Sequence, residues 1–147
     1  MKQIIVKEIL QEKGNAVYSV EPGASILDAL RLMARYNIGV VLVVENARIV
    51  GIFSERDCVA DLAENPNISL LSPIQDFMTS PVCYVTPSET LEECMAVMIA
   101  KNIRHIPVLD GDALAGMISI RDVVEAIVSE RNEDIETLEH LLWVNLV

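Results

Sequence analysis

Apolar positions recur along this chain in two rhythms, one helical and one extended. Ile26, Leu27, Leu30 and Met33 repeat at helical spacing and predict one apolar helix face. Ser25-x-x-Asp28 in front of them reads as a capping box, and Asn37 behind them as a left-handed C-cap. Val40 to Val44 is an unbroken apolar run rich in β-branched residues, which predicts a buried strand. Asn46 and Ala47 turn the chain, and Arg48 to Phe53 forms a second strand. Ser54-x-x-Asp57 then opens another helix running through Leu62. Ahead of this block, residues 1 to 13 predict a short helix with Ile5, Ile9 and Leu10 on one face, ended by Gly14 and Asn15. Ala16 to Val20 predicts a short strand, followed by a turn at Pro22-Gly23.

The same order returns 65 residues later. Thr90-x-x-Glu93 is a capping box, Leu91, Met95 and Met98 face inward, and Asn102 ends the helix. Ile106 to Leu109 is a strand, Asp110-Gly111 a tight turn, and Leu114 to Ile118 the next strand. Ser119-x-x-Asp122 opens the last helix. Across the 41 positions from Val20 to Ala60, eleven residues match their partner at +65, among them Gly51/Gly116, Ser54/Ser119, Arg56/Arg121 and Asp57/Asp122. Chance gives roughly one match in fifteen at average residue usage. The chain is therefore a duplication, each half β-α-β-β-α, and the fold class is α/β (α+β). Glu64 to Pro73 reads as a linker and Ile74 to Met78 as a short helix before Thr79-Ser80-Pro81. The expected divisions are a first repeat with its lead-in helix at 1–66, a second at 67–128 and a helical tail at 129–147. Ile135, Leu138 and Leu142 form a stripe on that tail.

Composition narrows the function. The 147 residues are 52% hydrophobic but only 4% aromatic, so bulk comes from aliphatic residues packed between helices and strands. A net charge of −11 argues against nucleic acid, which needs clustered Lys and Arg. Cys58, Cys83 and Cys94 are odd in number and lack C-x-x-C spacing, and read as small, reduced core residues in a reducing compartment. Charges at Lys2, Lys7 and Glu8 interrupt any signal-peptide core, and no apolar run approaches the ~20 residues of a membrane span. The expected location is cytoplasmic, without membrane contact. With only His105 and His140 in the chain, no metal cluster is expected.

The motif that points to chemistry is Gly51-Ile52-Phe53-Ser54-Glu55-Arg56-Asp57 and its copy Gly116-Met117-Ile118-Ser119-Ile120-Arg121-Asp122. Two readings fit it. Ser-x-x-Asp is itself a capping box, and duplication copies caps as readily as sites. Arg56 and Arg121, however, stand in the first helical turn, where the macrodipole repels a cation by roughly 0.3–1 kcal/mol. A bound anion would reverse that sign, and N–H groups, a hydroxyl and an Arg suit a phosphate. A neighbouring carboxylate can accept both hydroxyls of a ribose.

The duplication, the β-α-β-β-α order and the ending G-h-x-S-x-R-D resemble a pair of cystathionine-β-synthase (CBS) domains, the Bateman module, over roughly residues 6 to 128. Val6-Lys7-Glu8-Ile9-Leu10 and Ile74-Gln75-Asp76-Phe77-Met78-Thr79 resemble the lead-in of each repeat. Asn102-Ile103-Arg104-His105-Ile106-Pro107-Val108 resembles the second-strand signature, with Leu42 standing in the first repeat where Pro107 stands in the second. The resemblance implies pseudo-two-fold symmetry and composite sites in the cleft of two repeats. It implies an adenosine ligand: AMP first, then ATP or ADP, NAD, or S-adenosylmethionine. Site A would take ribose on Asp122 and phosphate on Ser119 and Arg121, with Arg104 and His105 beside the phosphates. Its base would lie against Ala16, Val17, Tyr18, Ile38 and Gly39, where Gly39 leaves the backbone open to a purine. Tyr18 reads equally as a stacking face or as core. Site B would use Ser54, Arg56 and Asp57, with Cys83, Ile103 and Arg104 around the base. Arg104 in place of Gly39, and His105 in place of Val40, predict two unequal sites, with the Asp122 one better suited to a mononucleotide.

Three functional classes follow. The first is a regulatory adenine-nucleotide sensor, signalling in trans to an unidentified downstream protein and paired as a homodimer through helices bearing Leu32, Met33, Met95 and Met98. The alternative is a structural, dimerising protein with vestigial sites. An enzyme is not expected: no Walker loop, G-x-G-x-x-G or zinc-ligand set is present, so neither catalytic residues nor a catalytic cofactor are assigned.

Overall fold

The computed structural model describes residues 3–130; the tail stripe at Ile135, Leu138 and Leu142 lies outside them. In chain order the elements are α1 (Val6–Lys13), β1 (Ser19–Val20), α2 (Ile26–Tyr36), β2 (Val40–Glu45), β3 (Arg48–Ser54) and α3 (Glu55–Glu64). A single 3-10 turn at Ile74–Asp76 replaces the expected helix to Met78. Then follow α4 (Leu91–Lys101), β4 (His105–Asp110), β5 (Ala113–Ser119) and α5 (Ile120–Glu130).

The duplication is visible in the strand register. Val43 pairs with Gly51 and Val40 with Ser54; 65 residues on, Val108 pairs with Gly116 and His105 with Ser119. Each ladder shifts register at the equivalent place, between Val43 and Val44 and between Val108 and Leu109. The caps also match. Asn37 and Asn102 both end their helices at φ +51°, the left-handed region Asn tolerates. The halves differ at their first strand. β1 pairs in parallel with β2, whereas the second half keeps only a bridge from Val85 to Val108. The second hairpin turns at Gly111 and Asp112, one residue later than Asp110-Gly111, because Asp110 stays paired with Ala113.

Packing divides the chain differently from the sequence boundaries at 66 and 128. Among the described residues the compact units are 16–83, and 3–15 together with 84–130. Neither lead-in packs on the repeat it directly precedes in sequence. Val6 N–H donates to the Glu89 carbonyl at 2.9 Å, Lys7 to Pro87 at 2.9 Å, and Leu91 to Ile4 at 2.9 Å. In the other unit, Ile74 N–H donates to Ala24 at 2.7 Å, Gln75 to Pro22 at 3.1 Å, and Ile26 to Ser72 at 3.0 Å. These bonds satisfy backbone donors near the helix starts, which otherwise lack partners. Side chains follow the same division. Val6, Ile9 and Leu10 join Leu91, Cys94, Met98 and the inner faces of β4 and β5. Ile74 joins Ile26, Ala29, Met33, Val41, Val43 and Phe53.

The stretch 64–73 is more than a linker. Leu70 and Ser72 carbonyls accept from the first turn of α2, and Ile68 and Leu70 pack on its core. Met33 and Met98 are buried in their own units, and Leu32 and Met95 pack against the same cores. Met33 and Met98 are therefore spent on their own cores, whereas Leu32 and Met95 stay half-buried. Cys58 and Cys94 are buried, but Cys83 is exposed and so departs from the core assignment.

Candidate functional site

Each unit presents Ser, Arg and Asp where a strand turns directly into a helix. In the unit of residues 16–83, Ser54 ends β3 and caps α3. Asp57 N–H donates to Ser54 Oγ at 3.1 Å, and Ser54 N–H donates to Asp57 Oδ2 at 3.2 Å. In the other unit, Asp122 N–H donates to Ser119 Oγ at 3.1 Å and Ser119 N–H to Asp122 Oδ2 at 2.7 Å. Ser25/Asp28 and Thr90/Glu93 close the same box at α2 and α4 with Leu27 and Glu92 in the positions of Arg56 and Arg121. Capping alone therefore explains the Ser and Asp geometry; the Arg is what sets the two junctions apart. Each Ser hydroxyl accepts from the helix and keeps its own proton to donate. Oδ1 of Asp57 and of Asp122 has no partner among the described residues.

A main-chain bond holds the segment before each hairpin against this junction. Glu55 N–H donates to the Gly39 carbonyl at 2.9 Å, and Ile120 N–H to the Arg104 carbonyl at 2.8 Å. The structure thus gathers Ile103, Arg104, His105, Ser119, Arg121 and Asp122 in one unit. Ala16, Val17, Tyr18, Ile38, Gly39, Ser54, Arg56, Asp57 and Cys83 belong to the other.

Three side chains absent from the sequence assignment shape these junctions. Glu55 is the first: its Oε1 lies 2.9 Å from where a Cβ on Gly39 would stand, so the space above that glycine is occupied by a carboxylate. Tyr36 is the second: it stacks on Tyr18 with centroids 4.1 Å apart and 21° between planes, and Arg35 sits 5.6 Å from the Tyr36 centroid. Tyr18 is half-buried, neither fully core nor an open platform, with an aromatic partner at stacking distance. Only the i, i+18 separation of two tyrosines marked this in sequence. Lys13 is the third. Its ammonium donates to Asp122 Oδ2 at 2.6 Å and to the Met117 carbonyl at 2.8 Å.

These additions make the junctions electrostatically unlike. Beside Asp122 stand Lys13, Glu12 and Glu125, with Arg121 paired to Glu125 at 2.9 Å, while Arg104 meets the junction through its main-chain carbonyl. Around Asp57 stand Arg56 and Glu55, and Arg56 has no ion pair among the described residues. Asp122 is thus already paired with an ammonium, whereas Asp57 has no ion pair among the described residues. Among the described residues no group of His, Cys, Asp or Glu could hold a metal ion, and no helix is long and apolar enough to cross a membrane.

Two copies of one α+β unit, each with Ser, Arg and Asp at a strand-to-helix junction, define a duplicated α+β module. The CBS domain model matches residues 6–64 and again 74–129, and the chain belongs to the CBS domain family. It is 34% identical over 119 residues to a mitochondrial CBS domain-containing protein of Arabidopsis thaliana, covering 78% of this chain and 58% of the length of that relative. The structure of a CBS-domain containing protein from Agrobacterium tumefaciens superimposes with a TM-score of 0.80 at 36% identity, covering 83% of this chain and 98% of that one. A CBS domain protein from Pyrobaculum aerophilum complexed with AMP superimposes with a TM-score of 0.72 at 26% identity, covering 81% of this chain and 89% of that one.

Proposed function

We propose that this chain is a regulatory module that binds an adenine nucleotide, AMP before ATP, ADP or NAD, and signals its occupancy to a partner in trans. The carrying observation is the pair of junctions at which a hydroxyl meets a carboxylate with an open oxygen and an Arg stands in the same first helical turn. Those groups match a nucleotide's phosphate and ribose diol, and a relative in the family is complexed with AMP. The ribose would lie on Asp122 and the phosphate at Ser119 and Arg121, with Arg104 and His105 beside it. Ser54, Arg56 and Asp57 would form the second subsite. Occupancy would shift a two-state equilibrium by the ligand's differential affinity for its states.

The test is a thermal titration with AMP, ATP, NAD and S-adenosylmethionine. At 100 times Kd a ligand adds about 2.7 kcal/mol, which is a Tm rise of roughly 5–10 °C for a chain of this size. Asp122→Ala should remove that rise for AMP. No rise with any of the four ligands would refute the sensing role.

The vestigial, structural reading has one specific observation in its favour: four boxes of the same geometry, two of them with no Arg directly before the carboxylate. Under it, Asp122→Ala costs about 1 kcal/mol of cap stability and changes no ligand response. In either reading a homodimer would use the exposed apolar residues Val59 on α3 and Val124 and Ile127 on α5, since the buried methionines are spent on the cores.

A further inference from the structure

The two aspartates are not equally available, and the difference lies in one residue that the duplication does not repeat. Asp122 Oδ2 already accepts two donors, Ser119 N–H at 2.7 Å and the Lys13 ammonium at 2.6 Å. A carboxylate oxygen offers about two lone-pair sites, so Oδ2 is saturated. Asp57 Oδ2 accepts only Ser54 N–H, at 3.2 Å. Lys13 is no loose surface partner. The Met117 carbonyl fixes its ammonium at 2.8 Å, and the Asp122 side chain is 13% exposed. The other lead-in is helical only over Ile74–Asp76, and there the Ile52 carbonyl, the +65 equivalent of Met117, accepts from Thr79 N–H at 2.8 Å. Among the described residues no ammonium reaches Asp57, so the second junction has no such lock.

We propose that Lys13 is a positioning residue that competes with a vicinal diol for Asp122 and so sets the ribose selectivity of that junction. This rests on the reading of Asp122 as a ribose acceptor. A cis-diol brings two O–H donors, which a carboxylate accepts best with one on each oxygen. With Lys13 in place only Oδ1 is open, so a bound diol either forfeits one charge-assisted bond or displaces the ammonium. The depression beside this pair, about 270 Å³, is bounded by Ile9, Glu12, Lys13, Asp122, Glu125 and Ser129 among others. Its acidic groups outnumber Lys13, which suits neutral hydroxyls rather than a phosphate.

The experiment measures a ratio: the affinity for AMP over that for 2′,3′-dideoxy-AMP, by calorimetry, in a background carrying Asp57→Asn to silence the second junction. The ratio cancels any effect of Lys13 on the shared phosphate. Lys13→Met should raise it about tenfold, the order of one hydrogen bond to a charged group. Lys13→Gln should raise it similarly while still donating to the Met117 carbonyl, which separates the lock from a packing defect. An unchanged or lowered ratio in both variants, with AMP still bound, overturns the lock and leaves the sensing role standing. Equal gains for the two ligands also overturn it, since they would report a charge effect unrelated to the diol. Failure of AMP to bind the background protein and both variants removes the sensing role and the lock together.

Discussion

Leu10 and Gly116 should behave as one packing unit although 106 positions separate them. A Cβ added at Gly116 would lie 2.6 Å from Leu10 Cδ2 and 3.1 Å from Cδ1. Leu10 is 6% exposed, so its isobutyl group has little room to turn. Gly116→Ala should therefore cost about 1–3 kcal/mol of overpacking, partly offset by roughly 0.5–1 kcal/mol of reduced unfolded-state freedom. Leu10→Ala leaves a cavity and should cost about 2–5 kcal/mol. In the Leu10→Ala background the new methyl enters that cavity, so Gly116→Ala should be neutral or slightly stabilising. The coupling energy is then on the order of 2 kcal/mol, within the range for contacting residues. Urea denaturation of the four proteins in the cycle measures it. The control pairs Leu10→Ala with Gly51→Ala. Gly51 meets Met78 instead, its added Cβ falling 3.0 Å from the Met78 Cβ, so these two changes should add to within about 0.5 kcal/mol. Additivity at Leu10/Gly116, or coupling at Leu10/Gly51, would refute the docking of the first lead-in on the second repeat.

Two further outcomes follow from backbone and burial. Ala47 sits at φ +62° in the first hairpin turn, so Ala47→Gly should stabilise by about 0.5–1 kcal/mol in the same denaturation assay, and any loss of stability would contradict the turn geometry. Exposed Cys83 should react with a disulfide reagent in the native protein while Cys58 and Cys94 react only on unfolding. Burial first, then Glu89 and Glu93, push the Cys94 thiol from 9.0 up to about 11. The unfolded chain therefore ionises first, and this contribution to stability is intact below pH 9 and lost as pH rises towards 11. Cys94→Ala should flatten that alkaline decline.

Local chemistry was the legible part of this fold. Ser25, Ser54, Thr90 and Ser119 each place an acceptor three residues before a carboxylate, and all four close the box that this spacing specifies. Asn37 and Asn102 end their helices because Asn tolerates the left-handed region, a property of one residue in one place. The +65 identities at Val43/Val108 and Gly51/Gly116 turn out to be cross-strand partners, so register was encoded as well. Packing between distant segments was not. Helical spacing says that Met33 and Met98 lie on an apolar face, but nothing in that period says what the face meets; both entered their own cores. The lead-ins were recognisable as alike, yet the sequence order placed each with the repeat it precedes, and the hydrogen bonds from Val6 and Ile74 run the other way.

The candidate site divides along the same line. Ser, Arg and Asp were found because duplication preserved them, and duplication argues for two equal junctions. Their inequality comes from residues that the repeat comparison could not weigh. Glu55 fills the space left by Gly39, although its equivalent in the second half is the uncharged Ile120. Lys13 reaches Asp122 across 109 positions from a lead-in that lies outside the aligned window. At Arg56 and Asp57, where among the described residues the guanidinium has no ion pair and the Asp57 side chain accepts one hydrogen bond, the helix start is open to a ligand but sits among the acids Glu55 and Asp61. At Arg121 and Asp122 each of the two groups is already engaged, with Glu125 and Lys13. Binding at the Asp57 junction must overcome repulsion, which salt screens. Binding at the Asp122 junction must exchange partners, which salt affects less because Asp122 is largely enclosed. The salt dependence of nucleotide affinity in Asp57→Asn and Asp122→Asn proteins therefore reports which junction is occupied.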